Sequence, residues 1–246
     1  MVTDPKAALQ KLSARGITTL EQFAESKAHM RKPRRIDSEK ALEEIFARSA
    51  VSSDSSVKSK IGPPSSSVSI VLDGKRVEYN EIARLDGQPL DYVATTLKGG
   101  DQALVVFSDR SILKADLLRQ FKAPLQAINK EVENALMAGG LQPSPLAPRI
   151  DLGLRIWVDI NYTDSSWTFA PEEYVNDLTQ FDAGLGWFEG DWNDKISSVQ
   201  MGRCYCIAWA DINQQGDRLI LYEDTPNLHI FGWGDAISAI YAPFRS

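Results

Sequence analysis

The spacing of apolar residues changes three times along the 246-residue chain, and each change predicts a different kind of structure. In residues 1–50, apolar positions recur three or four apart, so that Leu42, Ile45 and Phe46 fall on one helical face. That spacing is typical of amphipathic helices. The first segment is therefore predicted to consist of short helices joined by disordered chain.

Residues 51–67 break this pattern, because they combine many serines and two prolines with almost no bulky apolar side chain. Such a stretch buries too little apolar surface to offset the entropy that a chain loses when it is ordered. It is predicted to be a flexible linker. Residues 141–149, which are rich in proline, are predicted to be a second linker.

Between the two linkers, residues 68–140 alternate between apolar and polar positions before they adopt a helical spacing. Asp73 and Gly74 divide the first alternating stretch, which predicts a hairpin. The stretches LDYVATT and QALVVFSD predict two more strands, and residues 113–138 predict a long helix that ends at a Gly-Gly pair. Together these elements predict a small α+β module.

Residues 150–246 contain short alternating stretches and no helical spacing. Four stretches, LRIWVDI, SWTFA, CYCIAWADI and DRLILYE, are separated by Asp, Asn, Gly and Pro, which favour turns. This pattern predicts paired antiparallel Greek keys. The C-terminal domain is therefore expected to be an all-β Greek-key sandwich, preceded by the α+β module and the N-terminal segment.

Composition supports a boundary ahead of this domain. All six tryptophans lie in residues 151–246, where 15 acidic and 5 basic residues give a net charge of −10. The first 150 residues, with 18 acidic and 22 basic residues, have a net charge of +4. A basic run at residues 29–35 is interpreted as a solvated connector, so no nucleic-acid partner is predicted.

The sequence also favours one cellular compartment. No apolar run approaches the ~18 residues needed to span a membrane, and the N-terminus lacks the apolar core of a secretory signal. Cys204 and Cys206 fall on one face of a predicted strand, which is a poor arrangement for a mutual disulfide. We therefore expect a cytoplasmic protein without a membrane partner. Under oxidation, the cysteines could alternatively link separate chains.

The C-terminal domain contains an internal duplication. WVDIN begins at Trp157 and WADIN at Trp209, and NDLTQF parallels PNLHIF further along. Each unit then closes with Trp-x-Asp-x-Ile-Ser, in DWNDKISSVQM and in GWGDAISAIYA. The duplication fits the paired Greek keys of the predicted sandwich.

The start of each unit resembles the opening signature of βγ-crystallin domains, which is an aromatic residue, four residues, a second aromatic, one residue and glycine. Asp164 stands where the first unit would have glycine, and Gln214 stands where the second unit would have an aromatic residue. The matching positions are Trp157, Tyr162, Trp209 and Gly216.

The end of each unit resembles the closing signature of the same family, Asn/Asp-Asn/Asp-x-x-Ser/Thr-Ser. NDKISS matches it at every position, and GDAISA keeps the aspartate and one hydroxyl. Trp192 and Trp233 precede the two copies, at a position where the family commonly has a core tryptophan. Residues 150–246 therefore resemble a single βγ-crystallin domain of the microbial, non-lens type.

The resemblance implies two calcium sites that exchange ligands between the closing turns. Calcium takes about six to eight oxygen ligands, more than one short turn can supply. One ion would be bound by the Ser197 hydroxyl, the Lys195 carbonyl and the Asp235 carboxylate. The other would be bound by the Ser238 hydroxyl, the Ala236 carbonyl and the Asp194 carboxylate. A further carbonyl would come from Val158 or Ala210, and water would complete each shell.

Two departures from the signature leave the calcium prediction open. Gly234 and Ala239 replace residues that the resemblance assigns to loop structure rather than to direct coordination. Both sites could therefore persist, with one or both weakened. The alternative is that the turns only hold the fold and bind no calcium.

No catalytic grouping stands out, and two histidines leave little material for histidine catalysis or a zinc site. The predicted function is that of a non-enzymatic protein that calcium stabilises, with a structural, stress or developmental role. A protease inhibitor or toxin on the same fold is one alternative. Another is a partner-binding module with calcium-independent loops, which would self-associate through the 113–138 helix.

Overall fold

A computed structural model describes residues 33–35, 59–110, 132, 134–142, 153–181, 191–202 and 204–243. The strands are β1 Arg34–Arg35, β2 Ser69–Leu72, β3 Lys75–Val77, β4 Asp91–Thr96, β5 Gln102–Phe107, β6 Leu154–Trp157, β7 Ser166–Phe169, β8 Glu173–Val175, β9 Ser198–Met201, β10 Cys206–Asp211, β11 Gln215–Leu221 and β12 Ala239–Ala242. One α-helix, α1, spans Tyr79–Ala83, and residues 134–138 are also helical. Four 3-10 helices span Ile160–Tyr162, Leu178–Gln180, Ile212–Gln214 and Leu228–Phe231. Among these described residues, no helix has the length and apolarity needed to cross a bilayer.

The two repeated units exchange strands. In the first unit, β9 lies beside β6 and β6 beside β7, while the third strand, β8, pairs with β12 of the second unit. In the second unit, β12 lies beside β10 and β10 beside β11, while Thr225 forms a bridge to Val199 in β9. A fourth strand that returns beside the first defines a Greek key. The predicted all-β Greek-key sandwich is therefore confirmed.

Strand β10 shows how the larger sheet is packed. Successive side chains of a strand point to opposite faces. Cys206 and Ala208 belong to the apolar cluster between the two sheets, whereas Ile207 and Trp209 belong to a second cluster on the far face. Because both faces of β10 are buried, its sequence is nearly continuous in apolar residues rather than alternating with charge.

The predicted α+β module continues the larger sheet of the sandwich. Strand β4 pairs in parallel with β11, and β5, β2 and β3 follow, so that the sheet has nine strands among the described residues. The core is continuous as well, since the ring of Tyr92 lies 5.5 Å from that of Trp233, edge to face. The division of the chain into domains stays a prediction, but the two predicted units share a sheet and a core.

The local elements of the module follow the sequence pattern. Asp73 and Gly74 both have positive φ, 47° and 77°, as a two-residue turn between twisted strands requires. In the predicted 113–138 helix, residues 113–131 and 133 lie outside the described part. The remainder is helical and packs Val132 and Leu136 onto the far face of the sheet. Self-association through this helix stays a prediction.

The helix ends at the predicted glycine pair. Gly140 has φ of +76°, its amide donates to Met137, and the amide of Leu141 donates to Leu136. These two bonds form a Schellman motif, in which a left-handed residue satisfies the last carbonyls of a helix.

Three residues of the N-terminal segment are described, and they lie in the basic run that was predicted to be a connector, so the helices predicted around it lie outside the described residues and stay a prediction. Of these residues, 33–35, Arg34–Arg35 forms a strand that pairs with β8 opposite Tyr174. Edge strands recruit any extended segment that can satisfy their unpaired amides and carbonyls. The spacing of apolar residues in a short segment does not show whether that segment pairs with a distant edge strand.

Part of the predicted linker also differs from expectation. Residues 59–65, which we call the strap, make defined contacts: Ile61 is 8% exposed within the main core, and the amide of Gly62 donates to the carbonyl of Gly232 over 3.0 Å. The amide of Ser65 donates to the carbonyl of Ile230. One buried isoleucine and paired amides hold a serine-rich segment that composition alone would leave flexible.

A buried ion cluster lies where the module meets the sandwich. Asp91 is fully buried on β4, Arg218 is 2% exposed on β11, and the two form an ion pair. Arg110 Nε lies 3.3 Å from the other carboxylate oxygen of Asp91. Removing one member of a buried pair leaves its partner charged in a poorly solvated position, which is strongly destabilising.

We therefore expect Asp91→Ala to lower the free energy of unfolding by about 3–5 kcal/mol, because Arg218 loses its counter-charge. Urea denaturation at pH 7 measures this change. The matched control is Asp101→Ala, an exposed position expected to stay within about 0.5 kcal/mol of the parent. A loss below 1 kcal/mol for Asp91→Ala would show that the pair does not hold this junction.

Cys204 and Cys206 are both buried free thiols. Burial raises the pKa of Cys204 from 9.0 to about 12, with Glu172 adding to the shift. Folding therefore favours the protonated thiol. That contribution to stability is complete below pH 9 and is lost as the pH rises towards 12.

We expect both thiols to react slowly with a disulfide reagent such as DTNB at pH 8 in the folded protein, because thiolate is the reactive form. In 8 M urea, both should react rapidly. Absorbance of the released thiolate at each urea concentration measures the difference. Rapid labelling of two thiols without denaturant would contradict the buried positions of Cys204 and Cys206.

Candidate metal centre

The two closing turns lie side by side and bond to each other reciprocally. The amide of Asp194 donates to the carbonyl of Ile237 over 3.0 Å, and the amide of Asp235 donates to the carbonyl of Ile196 over 3.2 Å. Both aspartates adopt left-handed backbone conformations, with φ of 53° and 56°. Aspartate tolerates this region better than most residues. The duplicated sequence therefore produces two turns of the same shape in mutual contact.

Each closing turn is also fixed to the opening tryptophan of its own unit. The amide of Ser197 donates to the carbonyl of Trp157, and that of Ser238 to the carbonyl of Trp209. The predicted carbonyl ligands, Val158 and Ala210, each follow a tryptophan that is bonded to a closing turn in this way. The buried residues that pack beneath the turns are Trp192, Ile196, Trp233 and Ile237.

The opening turns match each other residue by residue despite their two departures from the signature. Three pairs share left-handed conformations with φ between 56° and 71°: Asn161 and Asn213, Tyr162 and Gln214, and Asp164 and Gly216. Asp164 thus adopts the conformation that the signature assigns to glycine.

The two opening turns differ in what fills the aromatic position. Tyr162 packs against Trp157 with ring centroids 5.2 Å apart. Gln214 is 3% exposed instead, and its amide donates to the side chain of Asn176. A buried hydrogen bond therefore replaces an aromatic contact in the second unit.

The structure brings together the side chains predicted for the first ion, a cluster that we call site 1. The hydroxyl of Ser197 donates to Asp235 Oδ1 over 3.0 Å, across the two turns. His229 Nε2 lies 3.1 Å from Ser197 Oγ and 3.9 Å from Asp235 Oδ2. Site 1 therefore contains one carboxylate, one hydroxyl and an imidazole that the sequence did not predict there.

The predicted second cluster, site 2, has the same core. The hydroxyl of Ser238 donates to Asp194 Oδ1 over 3.3 Å, and Asn193 Nδ2 donates to Asp194 Oδ2 over 2.8 Å. The ammonium of Lys60 reaches this site as well, 3.0 Å from Ser238 Oγ and 3.2 Å from Asp194 Oδ2. Sequence reasoning missed this lysine, because it lies 134 residues before Asp194 in a segment predicted to be a linker.

The position of His229 depends on a glycine. A Cβ added to Gly234 would lie 2.1 Å from His229 Nδ1, so the imidazole occupies space that a side chain at position 234 would need. In the first unit, Asn193 occupies the equivalent position, and Thr179 occupies the position equivalent to His229. Gly234, where GDAISA departs from the signature, was therefore the feature of the sequence that could have indicated a neighbouring side chain packed against this turn.

Both clusters suit an ion that prefers oxygen ligands. Among the residues that the structure describes, no three His, Cys, Asp or Glu side chains converge as a metal site built from such residues would require. Each cluster instead combines one carboxylate with one hydroxyl, two of the ligand types that calcium uses. At site 2, three side-chain oxygens already surround a cation, the ammonium of Lys60. Calcium ligation by these residues and by the carbonyls of Lys195, Ala236, Val158 and Ala210 remains a proposal.

We expect Gly234→Ala and His229→Ala to show strong non-additivity in the free energy of unfolding. The added Cβ must displace the imidazole, so Gly234→Ala should cost about 1 kcal/mol more in the parent than in the His229→Ala background. Urea denaturation of the two single variants and the double variant measures this coupling. Gly99→Ala, with its nearest atom 3.8 Å from the added Cβ, is the control. Additive effects would show that the ring does not occupy the space above Gly234.

Comparisons with known proteins give matches among solved structures, each over part of this chain. No family model matches the chain, and no curated protein matches it. Among solved structures, a βγ-crystallin domain from Flavobacterium johnsoniae is 26% identical, covering 38% of this chain and 96% of that domain with a TM-score of 0.31. The βγ-crystallin domain of the abundant perithecial protein from Neurospora crassa, in its Ca²⁺-bound form, is 20% identical, covering 42% of this chain and 98% of that domain with a TM-score of 0.30.

The sequence motifs and the strand arrangement together identify the fold of residues 150–246. The opening signature occurs twice with one departure in each copy, and the closing signature occurs once in full and once in part. Strand β8 of the first unit pairs with β12 of the second, and Thr225 of the second unit bridges to Val199 of the first. The resemblance predicted for residues 150–246 is therefore confirmed at the level of the fold: the described part of this region has the arrangement of a βγ-crystallin domain, two Greek keys that pair across two sheets.

Proposed function

We propose that this protein is a non-enzymatic calcium-binding protein whose C-terminal domain is stabilised by the ion. The observation that carries the proposal is the reciprocal placement of ligand types, in which the carboxylate of each closing turn meets the hydroxyl of the other. Neither turn alone provides both groups to one site. An ion bound between the turns would therefore bind the folded domain much better than the unfolded chain.

Each proposed site uses groups from both turns. Site 1 would use the Asp235 carboxylate, the Ser197 hydroxyl and the Lys195 carbonyl. Site 2 would use the Asp194 carboxylate, the Ser238 hydroxyl and the Ala236 carbonyl. A carbonyl from Val158 or Ala210 would add to these sets, and each bound ion would supply two positive charges beside an aspartate.

The stabilisation follows from mass action. A ligand that binds only the folded state, at a concentration 100 times its dissociation constant, adds about 2.7 kcal/mol to the free energy of unfolding. The ion would hold the two turns together, and the turns join the exchanged units. We propose that this makes the protein a calcium-stabilised component with a structural, stress or developmental role in the cytoplasm.

We expect the melting temperature to rise by about 5–10 °C in excess calcium relative to chelator, because the folded state of a chain this size gains 2–4 °C per kcal/mol. Differential scanning calorimetry of the full chain measures the shift. Asp235→Asn removes the site 1 carboxylate charge and should reduce it. Asp101→Asn, at an exposed position on the module, should leave the shift unchanged. Equal melting temperatures in calcium and chelator would rule the proposal out.

A further inference from the structure

Site 2 already contains a cation that belongs to the chain. Lys60 Nζ lies 3.0 Å from Ser238 Oγ, 3.3 and 3.2 Å from the two carboxylate oxygens of Asp194, and 4.0 Å from Asp211 Oδ1. The side chain of Lys60 is 40% exposed, so solvent can reach the ammonium. Its hydrogen-bond partners are the hydroxyl and carboxylate that define site 2.

The strap holds Lys60 from its N-terminal side. The Ser59 hydroxyl donates to Asp217 Oδ2 over 2.6 Å, and the Ser59 amide donates to Asp86 Oδ1 over 3.1 Å. Asp217 is 5% exposed and also accepts the amide of Leu90 over 2.8 Å, so it is itself fixed in the sheet. The residue before Lys60 is thus attached to both the module and the second unit.

The strap holds Lys60 from its C-terminal side as well. Ile61 is buried in the main core, and the amide of Gly62 donates to the carbonyl of Gly232. A Cβ on Gly232 would lie 2.0 Å from the carbonyl oxygen of Gly62, which shows how closely the two backbones approach. Because its neighbours are fixed on both sides, Lys60 brings its ammonium to site 2 at a high effective concentration.

Site 1 has a different neighbour. The imidazole of His229 lies beside Asp235, with Nε2 3.9 Å from Oδ2, and Thr179 replaces that histidine in the first unit. The duplicated sequence thus produces two turns of the same shape, whereas tertiary contacts give one an imidazole and the other an ammonium.

We propose that Lys60 is a tethered cation that occupies site 2 and makes the two sites unequal. A divalent ion then enters site 1 directly but must displace the Lys60 ammonium to enter site 2. The inference rests on the proposed calcium binding by these turns. The strap would thereby set the calcium affinity of site 2, and the Lys60 ammonium would occupy that site when calcium is absent.

The expected change in calcium affinity follows from competition between calcium and the Lys60 ammonium for site 2. The apparent dissociation constant of a ligand rises by the inverse of the fraction of molecules in the competent state. If Lys60 leaves site 2 about one-fifth of the time, as is reasonable for a partly exposed pair, the apparent dissociation constant is about fivefold higher than that of the same site without the ammonium.

The test is a calcium titration of the full chain by isothermal titration calorimetry at constant ionic strength. In the Asp235→Asn background, which leaves site 2 as the measured site, Lys60→Met should tighten calcium binding by about fivefold or more. Lys75→Met is the matched control, because it removes the same charge from an exposed position on β3, and it should leave the isotherm unchanged. Lys60→Gln repeats the test with a polar side chain of similar length.

A second readout needs no calcium. In chelator, Lys60→Met should lower the melting temperature more than Lys75→Met does, because Asp194 loses its counter-ion. In saturating calcium, this difference should shrink. Equal calcium isotherms for Lys60→Met and Lys75→Met would overturn the role of Lys60 and leave the proposed function standing. If calcium produced no binding heat in the parent or in any variant, the proposed function would fail, and the inference with it.

Discussion

The reciprocal bonding of the two closing turns organises the C-terminal domain. The amide of each turning aspartate, Asp194 or Asp235, is satisfied by a carbonyl of the other turn, so neither turn is complete without its partner. The left-handed conformation of both residues directs the two carboxylates across the contact to the opposite serine. Fold and candidate site therefore share one constraint: the two units must meet for either to form. An ion between the turns would strengthen the contact that already joins the units.

The remainder of the described chain supports the same region from one side. The module continues the sheet through β4 and β11, with Asp91 and Arg218 paired at the junction. The strap extends from this junction to site 2. Ile61 packs into the main core, and the amide of Gly62 donates to the carbonyl of Gly232 in the second unit. Among the described residues, the strap thus reaches site 2 through Lys60, whereas His229 of the second unit borders site 1. This asymmetry arises although the repeated sequences alone would produce two similar sites.

Elements with a strong local signal could be predicted from the sequence. Strands β4, β5, β6, β7, β10 and β11 follow alternating or apolar stretches, and the Asp73-Gly74 hairpin follows from residues that accept positive φ. The parallel pairing of β4 with β11 could not be predicted, because Asp91 and Arg218 are 127 residues apart and neither stretch encodes its partner. The strand at Arg34–Arg35 was missed for the same reason, since an unpaired edge of β8 defines it.

The sequence by itself determined the duplicated Greek keys, the turning aspartates and the serines that face them, because short motifs fix backbone conformation through local sterics and hydrogen bonds. Only the tertiary structure decided which side chains from distant segments approach those oxygens. Lys60 reaches Asp194 because backbone bonds and a buried isoleucine hold a distant strap in place, and His229 reaches Ser197 because Gly234 leaves space for its ring. Electrostatic contacts act over 3–4 Å in space, and the order of residues along the chain does not specify which distant segments come that close.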